Sequence, residues 1–82
     1  MVTVKFYGIA RIKFKEKEIT VDCSNVKELL STIAERYSIS LKDAKQFLVF
    51  VNDVNIVNLK TFRTPLKNGD KVEFLSPSAG GW

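Results

Sequence analysis

Few residues in this chain have types and spacings that could do chemistry, and the clearest lie in "SPSAGGW", Ser76 to Trp82. Adjacent glycines cost backbone entropy and bury nothing. Their use is reach. A chain without Cβ atoms can thread a narrow channel and carry a carboxylate to a phosphate held inside another protein. On this logic Gly81 bears the working carboxyl, Gly80 gives clearance, and Pro77 starts the tail extended. For the dipeptide alone, an unordered end that happens to hold glycines is the simpler reading. Its place a few residues after an expected final strand favours the working tail.

The other reactive groups are sparse. The 82 residues include no histidine, which leaves little scope for triads, imidazole acid–base work or histidine metal sites. The single cysteine, Cys23, cannot form an internal disulfide. It sits ahead of an expected helix cap, where a thiol can be activated, but no base or second cysteine accompanies it, so it reads as structural. There is no Gly-x-x-x-x-Gly-Lys-Ser/Thr loop, and no close acid pair stands out. A stand-alone enzyme is not expected; chemistry at the tail would need a partner to supply catalysis.

The bulk numbers describe one small domain with a modest core, 45% hydrophobic and 27% charged. No apolar run is long enough for a bilayer, and MVTVKFYG lacks the parts of a signal peptide. The expected location is cytoplasmic, with no membrane partner. The net charge of +4 admits nucleic acid as a partner. The basic residues are scattered among acids, however, and only Arg11 to Lys17 is locally dense.

The tail needs a body. Val2, Val4 and Phe6 alternate with polar neighbours, as do Ile19 and Val21, which predicts two strands. The lysine- and glutamate-rich stretch between them is expected to be a hairpin turn. Val26, Leu29, Leu30, Ile33, Ala34 and Tyr37 form one helical stripe, with Asn25 and Glu28 spaced as a capping box. Ser40 and Asp43 suggest a short helical turn over Leu41 to Gln46. Phe47 to Val51, "FLVFV", reads as a central strand buried on both sides. Asn55 to Val57 is expected as a short strand, Asn68-Gly69 as a turn, and Lys71 to Leu75 as the last strand. The order implies an α+β fold, a mixed sheet of four to five strands covered by one main helix, which fits the β-grasp, or ubiquitin-like, architecture. Residues 1–75 would be the domain and 76–82 the tail.

Strand parity also places Tyr7 and Leu75 outward, on adjacent strands of one open sheet face. Exposed apolar residues near a reactive tail suggest a protein interface.

Four stretches, "VKFYGIARI", "NVKELLSTIAERY", "VFVNDVNI" and "TPLKNGDKVEFLSPSAGG", cover nearly the whole chain. In that order the chain resembles the MoaD/ThiS family of ubiquitin-like sulfur carriers, and within it the small subunit of molybdopterin synthase. The resemblance implies that an E1-like adenylating enzyme uses ATP and magnesium to adenylate Gly81. A sulfur donor enzyme then converts the adenylate to a thiocarboxylate, and a larger synthase subunit takes the sulfur for molybdenum cofactor biosynthesis. The carrier itself would bind no cofactor or metal. The family's partner contacts match Tyr7, Arg11, Leu59 and Leu75; Arg11 and Leu59 rest on the resemblance alone. Working members end at the second glycine, whereas here Trp82 follows Gly81. The expectation is a precursor in which a processing protease cuts the Gly81–Trp82 bond. Two readings stay open beside this one. The first is a carrier for another sulfur-transfer pathway or a ubiquitin-like protein modifier. The second, more distant, is an RNA-binding β-grasp module.

Overall fold

The computed structural model describes residues 1–76. Five strands form one mixed sheet: β1 (Val2–Phe6), β2 (Glu18–Val21), β3 (Leu48–Val51), β4 (Val54–Asn55) and β5 (Lys71–Leu75), in the order β2-β1-β5-β3-β4. β1 and β5 run parallel at its centre, and every other neighbouring pair is antiparallel. The main helix α2 (Val26–Arg36) covers one face, burying Val26, Leu29, Leu30, Ile33 and Ala34. These meet Val2, Val4, Phe6, Val49, Val51, Val72 and Phe74 from the strands. Full burial of each large aliphatic side chain is worth about 1.5–3 kcal/mol, so the stripe on α2 is what attaches it to the sheet. The α+β, β-grasp expectation is met.

The caps follow the sequence. Asn25 accepts the Glu28 N–H at 2.8 Å, a bond worth about 1 kcal/mol. The returning Glu28 carboxylate takes the N–H of Ser24 rather than that of Asn25. Ser40 likewise accepts from Asp43 N–H and opens α3 (Leu41–Ala44). The β3–β4 turn is Asn52-Asp53, with both residues at positive φ, 48° and 72°. That is the mirror-image conformation a two-residue hairpin requires.

Three expectations need correction. The stretch between β1 and β2 is not a simple turn: it contains a helix, α1 (Gly8–Phe14). Ala10 and Phe14, four residues apart, bury its inner side. Two positions are too few to show a helical period, and exposed Ile9 and Ile12 obscure it. Phe14 stacks on Tyr37 with centroids 4.2 Å apart and meets Phe6 edge-on at 5.2 Å. Second, the "FLVFV" strand is neither central nor covered on both sides. β3 begins at Leu48, lies fourth in the sheet, and buries Val49 and Val51 while Leu48 is exposed and Phe50 half-buried. Its outward apolar residues mimic the composition of a doubly covered strand. Third, the strand expected over Asn55 to Val57 is reduced to Val54–Asn55, because Ile56–Asn58 forms a 3-10 turn in which Asn55 accepts the Val57 N–H.

Candidate functional site

Gly80, Gly81 and Trp82, which carry the expected chemistry, lie outside the described residues. The structure describes the place from which they depart. β5 ends at Leu75 and the chain continues into half-buried Ser76. Beside it β1 ends, and the Tyr7 N–H donates to the Phe74 carbonyl at 3.0 Å.

At this end of the open face Tyr7, Phe50, Asp53, Glu73 and Leu75 line an open depression of about 420 Å³. Strand register explains the grouping. Leu48 lies opposite Leu75, and Phe50 opposite Glu73. Residues on one face of paired strands fall side by side, so Leu48, Phe50 and Leu75 form an apolar group to which Tyr7 adds. The other end of the same face is polar. Thr3 pairs with Lys71, Lys5 with Glu73, and the Lys71 ammonium holds Asp53 at 2.9 Å. That contact lowers the Asp53 carboxyl below its ordinary value and raises Lys71 above its own. Interaction with the Glu73 carboxylate raises the Tyr7 phenol above its ordinary value, so Tyr7 stands at the surface as a neutral, amphipathic ring.

The structure thus brings Tyr7 and Leu75 together and adds Phe50, Leu48 and Glu73, which sequence reasoning missed. Parity within "LVFV" held that information: Leu48 and Phe50 alternate with the buried Val49 and Val51. Arg11 and Leu59 are placed elsewhere. Arg11 is exposed on α1 and lines a separate depression with Ile12, Lys15, Glu16 and Lys17. Leu59, also exposed, follows the first 3-10 turn and lines a third with Val54, Lys60, Pro65 and Asp70.

Cys23 is buried, its Sγ 3.6 Å from the Thr32 hydroxyl oxygen, and burial pushes the thiol above its ordinary value. That environment disfavours a thiolate nucleophile. Among the described residues no cluster of three or more His, Cys, Asp or Glu could hold a metal ion, and no helix is long and apolar enough to cross a membrane. This end of the face therefore presents a partly apolar depression, lined as well by the Asp53 and Glu73 carboxylates, next to Ser76, the residue that follows β5.

The chain matches the family model described as the ThiS family over residues 4–81. No curated protein matches it in sequence. Among solved structures it is similar to one chain of the protein–protein complex of subunits 1 and 2 of molybdopterin-converting factor from Helicobacter pylori 26695. The identity there is 30%, the match covers 98% of this chain and 97% of that one, and the TM-score is 0.69. The small archaeal modifier protein 1 from Methanosarcina acetivorans is 23% identical, with 98% and 95% covered and a TM-score of 0.85. One chain of the BexX/CysO complex from Amycolatopsis orientalis gives 24% identity, with 99% of this chain and 100% of that one covered and a TM-score of 0.79. At those two lower identities the likeness is one of fold. A family match over nearly the whole chain, on a five-stranded mixed sheet, settles the relationship: the chain belongs to the ThiS family of ubiquitin-like sulfur carriers.

Proposed function

We propose that this chain is a sulfur carrier of the molybdopterin synthase type, a non-catalytic subunit whose reactive group is the carboxyl of Gly81. The observation that carries the reading is the geometry at the end of β5. The tail's root and the apolar depression of Tyr7, Phe50 and Leu75 share one end of the sheet, so a partner that binds the depression also receives the tail. The similarity to the molybdopterin-converting factor complex supports the choice of pathway.

The steps balance as follows. Once a protease has cut the Gly81–Trp82 bond, a carboxylate oxygen of Gly81 attacks the α-phosphorus of magnesium-bound ATP on an E1-like enzyme. Pyrophosphate leaves, and Gly81 carries a mixed anhydride with AMP. A sulfur donor enzyme delivers sulfur at the level of hydrosulfide to the carbonyl carbon. AMP leaves with the bonding electrons, and the thiocarboxylate remains. In the larger synthase subunit the thiocarboxylate sulfur displaces an oxygen substituent on a carbon of the pterin precursor, which leaves with the bonding electrons; water then adds to the Gly81 carbonyl carbon, the sulfur departs on the pterin as a thiolate, and the Gly81 carboxylate returns. This chain's own part is to dock, orient and reach; it holds no nucleotide.

The test uses two forms, ending at Gly81 and extending to Trp82, incubated with the host's E1-like enzyme and labelled pyrophosphate. ATP–pyrophosphate exchange with the shorter form only is expected. Exchange with neither form overturns the carrier reading, and exchange with both overturns the processing step. The same tail favours a second reading, a carrier in another sulfur pathway or a protein modifier joined to lysines through Gly81. Mass analysis separates them: sulfur replacing oxygen on the free chain marks a carrier, and adducts containing a target protein mark a modifier.

A further inference from the structure

The hairpin of β3 and β4 has two sides, and the depression of Tyr7 and Phe50 uses only one of them. Val54 lies opposite Val51 in the register, so the two share the face that α2 covers, while Phe50 lies on the open face. Val54 is nonetheless 40% exposed, and Leu59 is 41% exposed. With Pro65 they line a depression of about 460 Å³ whose rim carries Lys60, Lys67 and Asp70. The acid of the rim is already engaged. One Asp70 oxygen accepts the Lys67 N–H at 2.8 Å, and the other accepts from the Asn52 amide at 3.1 Å. The Lys67 ammonium adds only the smallest of the pulls that lower Asp70. Among the described residues the ion pairs are Arg36 with Glu16 and Lys71 with Asp53, so the ammonium groups of Lys60 and Lys67 are in neither.

The wall of the depression is held before anything binds. Thr64, only 5% exposed, donates its hydroxyl to the Thr61 carbonyl at 2.7 Å and accepts the Lys60 N–H at 3.1 Å. Its own carbonyl takes the Val26 N–H at 3.0 Å, and Pro65 bridges to Asn25, so this wall is pinned to the start of α2. Thr61 sits at φ 50°, a left-handed conformation that is unfavourable for a β-branched residue. Strain of this kind persists where surrounding contacts over-determine it, and it recurs at binding surfaces. A preformed surface loses less on binding than one that must first be ordered.

We infer that this depression is a second docking site, for a protein segment that presents an apolar side chain between carboxylates. The apolar side chain covers Val54, Leu59 and Pro65, and the carboxylates meet Lys60 and Lys67. Taking exposed apolar surface out of water supplies affinity, and the two ammonium groups select the sign of the partner's charge. A phosphate backbone suits the lysines but brings nothing apolar to the lip, so a protein segment fits better than RNA. The site lies on the other side of the hairpin from Phe50 and does not rest on the carrier reading.

The test selects peptides from a randomised displayed library on the immobilised 82-residue chain. Recovered sequences are expected to place Leu, Ile, Met or Phe among several Asp or Glu residues. Titration with a recovered peptide should move the amide resonances of Val54, Leu59 and Lys67 saturably and leave those of Tyr7 and Leu75 in place. Lys60→Glu combined with Lys67→Glu should lower affinity at least about tenfold, and Leu59→Ala about fivefold. Lys17→Glu, the same change beside β2 at the far edge of the sheet, should leave affinity within about twofold. All four positions are exposed, so the variants should keep the fold, which circular dichroism checks. Recovered peptides without the acidic and apolar combination would overturn the inference. So would peptides that move the Tyr7 and Leu75 resonances instead, or affinity that survives the double charge reversal. Single-stranded oligouridine moving the same resonances as strongly would overturn it in favour of nucleic acid.

Discussion

Replacing Phe14 by alanine tests the least anticipated element of the fold. In a solvated hairpin turn, Phe14 and Ile12 would be equally dispensable. In the structure they differ sharply: Phe14 is 5% exposed and Ile12 is 75% exposed. Phe14 lies against Phe6, Tyr37 and Phe47, with centroids 5.2, 4.2 and 5.5 Å away. Truncating a buried phenylalanine costs about 3–5 kcal/mol. α1 is a short surface helix that can settle into part of the cavity, which puts the expected loss near the lower bound, about 3 kcal/mol. A domain of this size has about 4–12 kcal/mol of stability in all, so Phe14→Ala should fold but be strongly weakened. At about 4–8 °C per kcal/mol, its melting temperature should fall by about 12–24 °C. Ile12→Ala should change stability by no more than about 0.5 kcal/mol. Thermal and urea unfolding followed by circular dichroism measure both. Losses below about 1 kcal/mol for each substitution would show that α1 is not anchored as described, and the account of how the end of β1 is held would go with it.

Three further outcomes follow from particular contacts. Cys23 should react with a thiol reagent at least about tenfold more slowly in the folded chain than in urea, because burial disfavours its thiolate; equal rates would remove the structural role assigned to it. Asp70 accepts from the Lys67 N–H at 2.8 Å and from the Asn52 amide at 3.1 Å, which hold its carboxyl below the ordinary value. A folded value depressed in this way gives stability that is present above the unfolded value of about 3.9 and is lost as pH falls through the lower folded one. Asp70→Asn should therefore lower the urea midpoint near neutral pH and converge on the unsubstituted chain in acid; a gap independent of pH would contradict the assignment. Tyr7→Ser leaves the backbone bond to Phe74 intact, so melting should shift by no more than a few degrees while affinity for the E1-like enzyme drops at least about tenfold; unchanged affinity would remove Tyr7 from the docking surface.

What the sequence shows, and what it hides, depends on how many residues carry each pattern. α2 is legible because six apolar positions repeat over three turns and Asn25 marks its start. β1 and β5 are legible because strict alternation survives in both. α1 is hidden because only Ala10 and Phe14 face inward, and the lysines around them read as a turn. β3 misleads for a different reason. Leu48 and Phe50 are apolar on the outward face, so a strand covered on one side carries the composition of one covered on both. The same pattern explains why the sequence singled out Tyr7 and Leu75 but missed Phe50. An apolar residue is conspicuous among polar outward neighbours and invisible inside an apolar run.

The topology itself ties the two halves of the proposed function together. Parallel pairing of β1 with β5 means that both strands end at the same edge of the sheet, where β1 contributes Tyr7 and β5 contributes Leu75 and the start of the tail. Antiparallel pairing of β3 with β5 means that β3 begins at that edge, which brings Leu48 and Phe50 to the same group. Had the last strand run antiparallel to β1, the chain would leave β5 at the other end of the sheet, beside Thr3. A partner holding the apolar residues would then have to reach back across the sheet to meet Gly81. Central parallel pairs need a crossover connection, and here α2, β3, β4 and the 3-10 turns all lie between β1 and β5 in the chain. The long route around the helix and back to the centre of the sheet is therefore what sets the docking residues and the tail's root side by side.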